Sequence, residues 1–133
     1  MCDYCSWINQ ILARIKYESK LDKKKRRIYT DPVIVVHGGA GKIPRAKHKR
    51  MLFEVKNAAI EAYCDLINGE SATDAVEKAV AYMESRPLFN CAKGGSLNVN
   101  DEIVTDAAIM TTRDAGCVGA VRDIEHPISL GTF

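Results

Sequence analysis

Residues 32–41 read PVIVVHGGAG. Val33, Ile34, Val35 and Val36 form an unbroken β-branched run, a pattern that predicts a strand buried on both faces. The strand runs straight into His37, Gly38, Gly39, Ala40 and Gly41. Glycines at a strand end permit positive φ and let another group come close to the backbone. A buried strand that opens into a bare-backbone loop is a common way to build a site.

Three readings of that loop follow from its residues. A phosphate-binding loop needs Gly, four residues, then Gly-Lys-Ser/Thr. Counting back from Gly41-Lys42 puts Val36 at the first glycine, and Ile43 stands at the hydroxyl position. A dinucleotide fingerprint fails at Pro44, where the third glycine belongs after Gly39 and Gly41. The third reading is a tight turn after a core strand.

The 133 residues make one ordinary domain, and a hydrophobic fraction of 47% suits a globular core. No apolar run approaches the roughly 18 residues that a membrane span needs. The net charge of +2 conceals an asymmetry. Residues 1–50 carry thirteen Lys and Arg against four Asp and Glu, whereas residues 51–133 carry six against thirteen. The basic character belongs to the leader and not to the fold. The five cysteines are odd in number and scattered, which predicts no disulfide framework and fits a reducing compartment. Cys64 and Cys117 lie in apolar stretches and are expected to be buried thiols. Cys2 and Cys5 form a lone CxxC with no second pair to complete a zinc site.

Two segments divide the chain: a basic leader, residues 1–30, expected to be flexible, and residues 31–133. In the leader, Trp7, Ile8, Ile11, Leu12 and Ile15 recur at helical spacing. The run Lys23-Lys24-Lys25-Arg26-Arg27 reads either as a solvated segment or as a nuclear-import or nucleic-acid patch. No aromatic platform or groove-reading element accompanies it, so the expectation is no nucleic acid and no membrane. Asp3 interrupts any secretory pattern, and Asp3, Glu18 and Asp22 argue against a mitochondrial presequence. The expected location is cytoplasmic, with Lys23–Arg27 as the feature that would favour the nucleus.

A helix is expected from about Lys47 to Asn68, with Met51, Leu52, Val55, Ala58, Ala59, Ala62 and Leu66 as its buried stripe. Gly69 stands where a C-terminal cap belongs. Ser71 opens a second helix with Asp74 in a capping-box arrangement. Its apolar face is Ala72, Ala75, Val76, Ala79, Val80 and Met83, and Pro87 ends it. An irregular loop over residues 84–96 follows. Two strands are then expected, Ile103–Met110 and Cys117–Val121.

VIVVHGGAG (33–41), GESATDAVEKAV (69–80), ESRPLFNCAKGGSLNVNDEI (84–103) and TDAAIMTTRDAGCVGAVRDIEHPI (105–128) together resemble the plant-type asparaginases and isoaspartyl peptidases, a family of N-terminal-nucleophile hydrolases. The likeness covers about residues 32–130. It implies an α/β chain that is part of an αββα sandwich, truncated before the second half. The implied activity is hydrolysis of the side-chain amide of asparagine and of isoaspartyl dipeptides. A threonine freed by self-cleavage would supply both the hydroxyl and the amine base. The sequence as given does not reach that threonine, so inactivity is expected for it alone. The alternative is a non-catalytic relative that binds a full-length partner. His37-Gly38-Gly39 leans towards the asparaginase branch, since the related threonine proteases usually carry Ala at the middle position.

By the same resemblance, His37, Gly38 and Asn90 support the nucleophile. The main-chain carbonyls of Met83, Glu84, Arg86, Phe89, Cys91 and Lys93 would hold a structural sodium. No cofactor is required for the chemistry. The implied partners are a small amide or isoaspartyl dipeptide and a second copy or full-length paralogue. Gly38→Val is expected to crowd the nucleophile and forbid positive φ. Three departures stand out. Ala92 replaces a glycine of the family's Phe-Asn-Ala-Gly, and a left-handed φ there would strain it. Thr111-Thr112 follows Met110 where the family reads Asp-Gly. His126-Pro127-Ile128 stands for Asn-Pro-Ile/Val, which opens a helix in the family. In register, Gly131-Thr132 falls inside that helix and is not the cleavage pair.

Overall fold

A computed structural model describes residues 31–132. The leader helix, the Cys2/Cys5 pair and the basic run 23–27 lie outside the described residues.

Helix α1 spans Arg45–Asn68 and starts at Pro44 without a side-chain cap. Its far end closes as its glycine demands. Gly69 takes φ 96°, its N–H donates to Leu66 O at 3.2 Å, and Glu70 N–H donates to Asp65 O at 3.0 Å. Helix α2 spans Ala72–Glu84 behind a complete capping box. Asp74 N–H donates to Ser71 Oγ at 3.1 Å, and Ser71 N–H donates to Asp74 Oδ2 at 3.3 Å. The helix stops at Glu84, ahead of Pro87.

The two helices meet through alanines. Ala58, Ala62 and Ala75 are fully buried and Ala79 nearly so. With no side chain beyond Cβ, these residues let the helices pack closely. A polar chain runs along the other side of the contact. Tyr82 O–H donates to Glu54 Oε2 at 2.6 Å, and the Arg86 guanidinium lies 4.4 Å from the Tyr82 ring centroid. Leu52 departs from the expected stripe and is exposed, as is Phe53.

The 32–38 segment corrects the expectation of a strand buried on both faces. Ile34 and Val36 pack on the alanine cluster with Leu66, but Val33 is 84% exposed and Val35 88%. The segment is not assigned as a strand, and among the described residues no strand pairs with it. The helices cover one face. A β-branched run reports a preference for extended backbone, not what lies on the second face.

Strands β1, Thr105–Met110, and β2, Ala115–Val121, form a two-stranded antiparallel sheet. Pairs run from Ala107↔Val118 to Met110↔Ala115, with an irregularity before Thr105↔Val121. Asp106 accounts for it: Oδ1 accepts Ala120 N–H at 2.7 Å, and Ala120 takes φ 54°. The β1–β2 turn lacks the family's glycine and uses Thr111 instead. Its Oγ1 accepts Arg113 N–H at 3.1 Å and Asp114 N–H at 2.9 Å.

Cys64 and Cys117 are exposed, against the expectation of buried thiols. Cys64 sits on α1 off the buried face that Ala58 and Ala62 define, and Cys117 lies on a sheet too narrow to enclose it. The helix expected after His126 is a short 3-10 turn, Pro127–Leu130. Pro127 and Ile128 are buried within it, and the turn packs on α2 and β1. Gly131 ends the turn with its N–H on Ile128 O at 2.9 Å, so Gly131-Thr132 follows a turn and is not inside a helix. Among the described residues, no helix is long and apolar enough to cross a membrane.

Candidate functional site

The glycine loop and the 84–96 loop meet at one point. A Cβ on Gly38 would stand 2.8 Å from Val55 Cγ2 and 3.2 Å from Phe89 Cε1. Both contacts are tighter than ordinary packing, so only glycine fits between α1 and the buried Phe89 ring. Gly38 is needed for space and not for left-handed φ, which corrects the second half of the expectation for Gly38→Val. The positive φ belongs to Gly39, at 108°. Gly39 N–H donates to His37 Nδ1 at 3.1 Å. Neutral His37 therefore carries its proton on Nε2.

Asn90 follows Phe89 and is exposed. Its Oδ1 accepts Ser96 N–H at 2.9 Å and Ser96 O–H at 2.7 Å. The structure thus places Phe89–Asn90 beside His37–Gly38. The join is ring against glycine, while the polar side chains of His37 and Asn90 each bond within their own loop.

The six carbonyls named for sodium sit in a sequence of tight turns. Met83 O accepts Arg86 N–H at 2.9 Å, Arg86 O accepts Phe89 N–H at 3.3 Å, and Cys91 O accepts Gly94 N–H at 3.0 Å. A carbonyl oxygen keeps a second lone pair after one such bond. An all-oxygen set suits a hard cation. Gly94 packs against these turns: a Cβ there would overlap Phe89 O and lie 3.1 Å from Arg86 O. Ala92 has φ 41° and is 6% exposed. The strain expected at this position is present, at a cost of roughly 1–2 kcal/mol for an L-residue in left-handed space.

The most informative side chain near the loop escaped the sequence reading, which used only the carbonyl of Glu84. Its carboxylate is 1% exposed. Ile128 N–H donates to Oε1 at 3.1 Å, tying α2 to a turn 44 residues away. The Cys91 thiol faces the same oxygen at 3.9 Å. His126 Nδ1 lies 3.6 Å from Oε2, close enough for an ion-pair contact and too far for a hydrogen bond. Burial pushes the Glu84 carboxyl above the usual carboxylate range, against the Ile128 N–H and His126. Burial also raises the Cys91 thiol, and the Glu84 charge adds to it. A signal existed in the sequence. Glu84 follows Val80 by one helical turn, on the apolar stripe, where a carboxylate must find partners.

Two hollows flank these loops. A cleft of about 630 Å³ is lined in part by Glu84, Ala92, Lys93, Glu102, Arg122 and Glu125. Arg122 Nη1 closes on Glu102 Oε1 at 2.9 Å across it. A second hollow, about 390 Å³, lies under the glycine loop beside Ile43, His48, Met51 and Leu52.

The glycine loop and the buried Phe89 ring thus meet on a mixed α/β scaffold of two helices and a hairpin. The chain belongs to the asparaginase family, whose model matches residues 30–133. It is 48% identical over 101 residues to an isoaspartyl peptidase/L-asparaginase of Danio rerio, covering 74% of this chain and 33% of that protein. The human isoaspartyl peptidase/L-asparaginase is 45% identical over 103 residues, covering 75% and 33%. A plant-type L-asparaginase of Pyrococcus furiosus is 41% identical over 100 residues, covering 73% and 32%. The chain spans about a third of the length of the curated relatives it matches.

Proposed function

We propose that residues 32–130 are the nucleophile-supporting scaffold of an isoaspartyl peptidase/L-asparaginase. The reaction is hydrolysis of a side-chain amide or isoaspartyl bond by an N-terminal threonine. That threonine comes from the part of the family fold beyond the matched third. His37, Gly38 and Asn90 position its hydroxyl. The observation that carries this reading is the fit of Gly38 against Val55 and Phe89, which brings His37–Gly38 beside Asn90. Positioning of this kind is worth a large part of a nucleophile's rate.

The open face of Val33 and Val35 is the surface on which the rest of the αββα sandwich packs. A sodium held by the carbonyls of Met83, Glu84, Arg86, Phe89, Cys91 and Lys93 orders the loop that carries Asn90 and takes no part in the chemistry. The test is a chimera that joins this chain to the remaining two thirds of a relative. It is expected to cleave itself at its Gly-Thr bond and then release ammonia from asparagine. A chimera that melts cooperatively yet never cleaves would sink this reading in favour of a non-catalytic relative that binds a full-length partner.

A further inference from the structure

Val55 and Phe89 are the two walls that close on Gly38, and each has a charged residue close by in the chain. Glu54 stands one residue before Val55 on α1, and Arg86 stands three before Phe89, two residues past the end of α2. The two side chains meet across the helix pair. Arg86 Nε lies 3.5 Å from Glu54 Oε2, and the Glu54 side chain is 13% exposed. The same Oε2 accepts Tyr82 O–H at 2.6 Å, while the guanidinium lies over the Tyr82 ring. Arg86 Nε is buried with no hydrogen-bond partner, so charge and the ring face hold this contact, not an aligned bond from Nε. Past the contact the chain turns at once: Arg86 O accepts Phe89 N–H at 3.3 Å. Glu54 is therefore joined to both walls of Gly38, to Val55 along the chain and to Phe89 through Arg86 and its turn.

We propose that Glu54 is a positioning residue that, through Arg86, sets the separation of α1 from the Phe89–Asn90 segment, and with it the alignment of Asn90 on His37–Gly38. This role rests on the nucleophile-supporting reading of residues 32–130. Gly38 fills the gap between its walls with no side chain to spare, so a wall that moves alters the grip on the whole glycine loop. Tyr82 and Arg86 draw on one oxygen in different ways. A neutral acceptor at position 54 keeps the bond from the Tyr82 hydroxyl and loses the attraction to the guanidinium. Removing the charge alone is therefore expected to release the loop while α1 and α2 stay together, since buried alanines hold that contact.

The first test uses the 133-residue chain and nuclear magnetic resonance. Phe89 is a close neighbour of Gly38, so the ring-current shifts of the Gly38 α-protons read their separation directly. Glu54→Gln and Arg86→Gln are each expected to move these resonances toward their values in the unfolded chain, and the double variant no further than either single one. Arg86→Lys, which keeps the charge, is expected to retain part of the shift. Ser71→Ala is the control, expected to lower stability and leave the resonances in place. The second test carries the same variants in the chimera with a relative's remaining two thirds. There Glu54→Gln and Arg86→Gln are expected to slow self-cleavage at least about tenfold, through misplacement. Circular dichroism of each variant reports whether it is folded. Gly38 resonances that stay put in folded Glu54→Gln overturn the proposal, as do shifts from the two single variants that add in the double. So does self-cleavage at the parent rate in both variants. A parent chimera that folds and never cleaves overturns the nucleophile-supporting reading instead, and the Gly38 resonances then decide the Glu54 contact by themselves.

Discussion

The helix pair and the 84–96 loop are adjacent in space and opposite in how they are held. Between α1 and α2 the local demands are met where they arise: Gly69 caps the end of one helix, Ser71 and Asp74 cap the start of the next, and alanines fill the contact. From the last residue of α2 into the loop the demands are left standing. Ala92 sits in left-handed space, and Glu84 is buried with one oxygen unsatisfied. The first region is stable for its own sake. The second holds a conformation that its residues would not choose, and such strain persists only where surrounding structure imposes it.

The largest expected effect comes from removing the carboxylate on which the loop side depends. Glu84→Ala strips Ile128 N–H of its acceptor and leaves a void under a fully buried position. Urea unfolding should show a loss of about 2–4 kcal/mol. A loss no larger than that of an exposed substitution would mean that α2 and the 127–130 turn do not depend on this link. Gly38→Val comes next. Its Cβ meets Val55 and Phe89, and overpacking of that kind costs about 1–3 kcal/mol. In the chimera it should also abolish self-cleavage, because the Phe89–Asn90 segment must move. Cleavage at the parent rate in Gly38→Val would separate the close approach from any catalytic role.

On the helix side the comparison is sharpened by Ser71→Ala. The capping box loses its acceptor for Asp74 N–H, at a cost of about 1 kcal/mol. Thermal unfolding should shift down while self-cleavage in the chimera keeps the parent rate, since the cap lies outside the contact of Gly38 with Val55 and Phe89. A slower cleavage would show that the two regions are not separable.

The same division governs how much could be read from the chain. Helix limits, the Ser71–Asp74 box and the Gly69 cap are set by neighbours in sequence, and the residues spell them out. The asparaginase resemblance, carried by four separated motifs, is matched by the family and by relatives up to 48% identical. Exposure of Val33 and Val35 could not be read, because it depends on whether a second layer is present. Cys64 and Cys117 failed for the same reason: an apolar neighbourhood in sequence is not an enclosure in space. The Glu84 cluster assembles residues up to 42 positions apart, from Glu84 to His126, and only the fold brings them together. The mixed α/β character was legible, while the sandwich and the sodium remain part of the proposed function.

The smallest expected effect tests the strained position itself. Ala92→Gly removes a left-handed cost of roughly 1–2 kcal/mol but restores chain freedom worth roughly 0.5–1 kcal/mol in the unfolded state. The net gain should be about 0.5–1 kcal/mol, read as a rise in urea midpoint with an unchanged slope. Ala92 lies between Cys91 and Lys93, two of the residues whose carbonyls are assigned to sodium. Relaxing its φ should therefore let the loop close on the ion. In the chimera, the sodium dependence of Tm should be steeper for the Ala92→Gly variant than for the parent. A stability gain with identical sodium dependence would locate the strain in the turn alone and leave the carbonyl assignment without support. No gain at all would mean that the φ of 41° at Ala92 carries no cost in solution, and the contrast between the satisfied helices and the strained loop would then rest on Glu84 only.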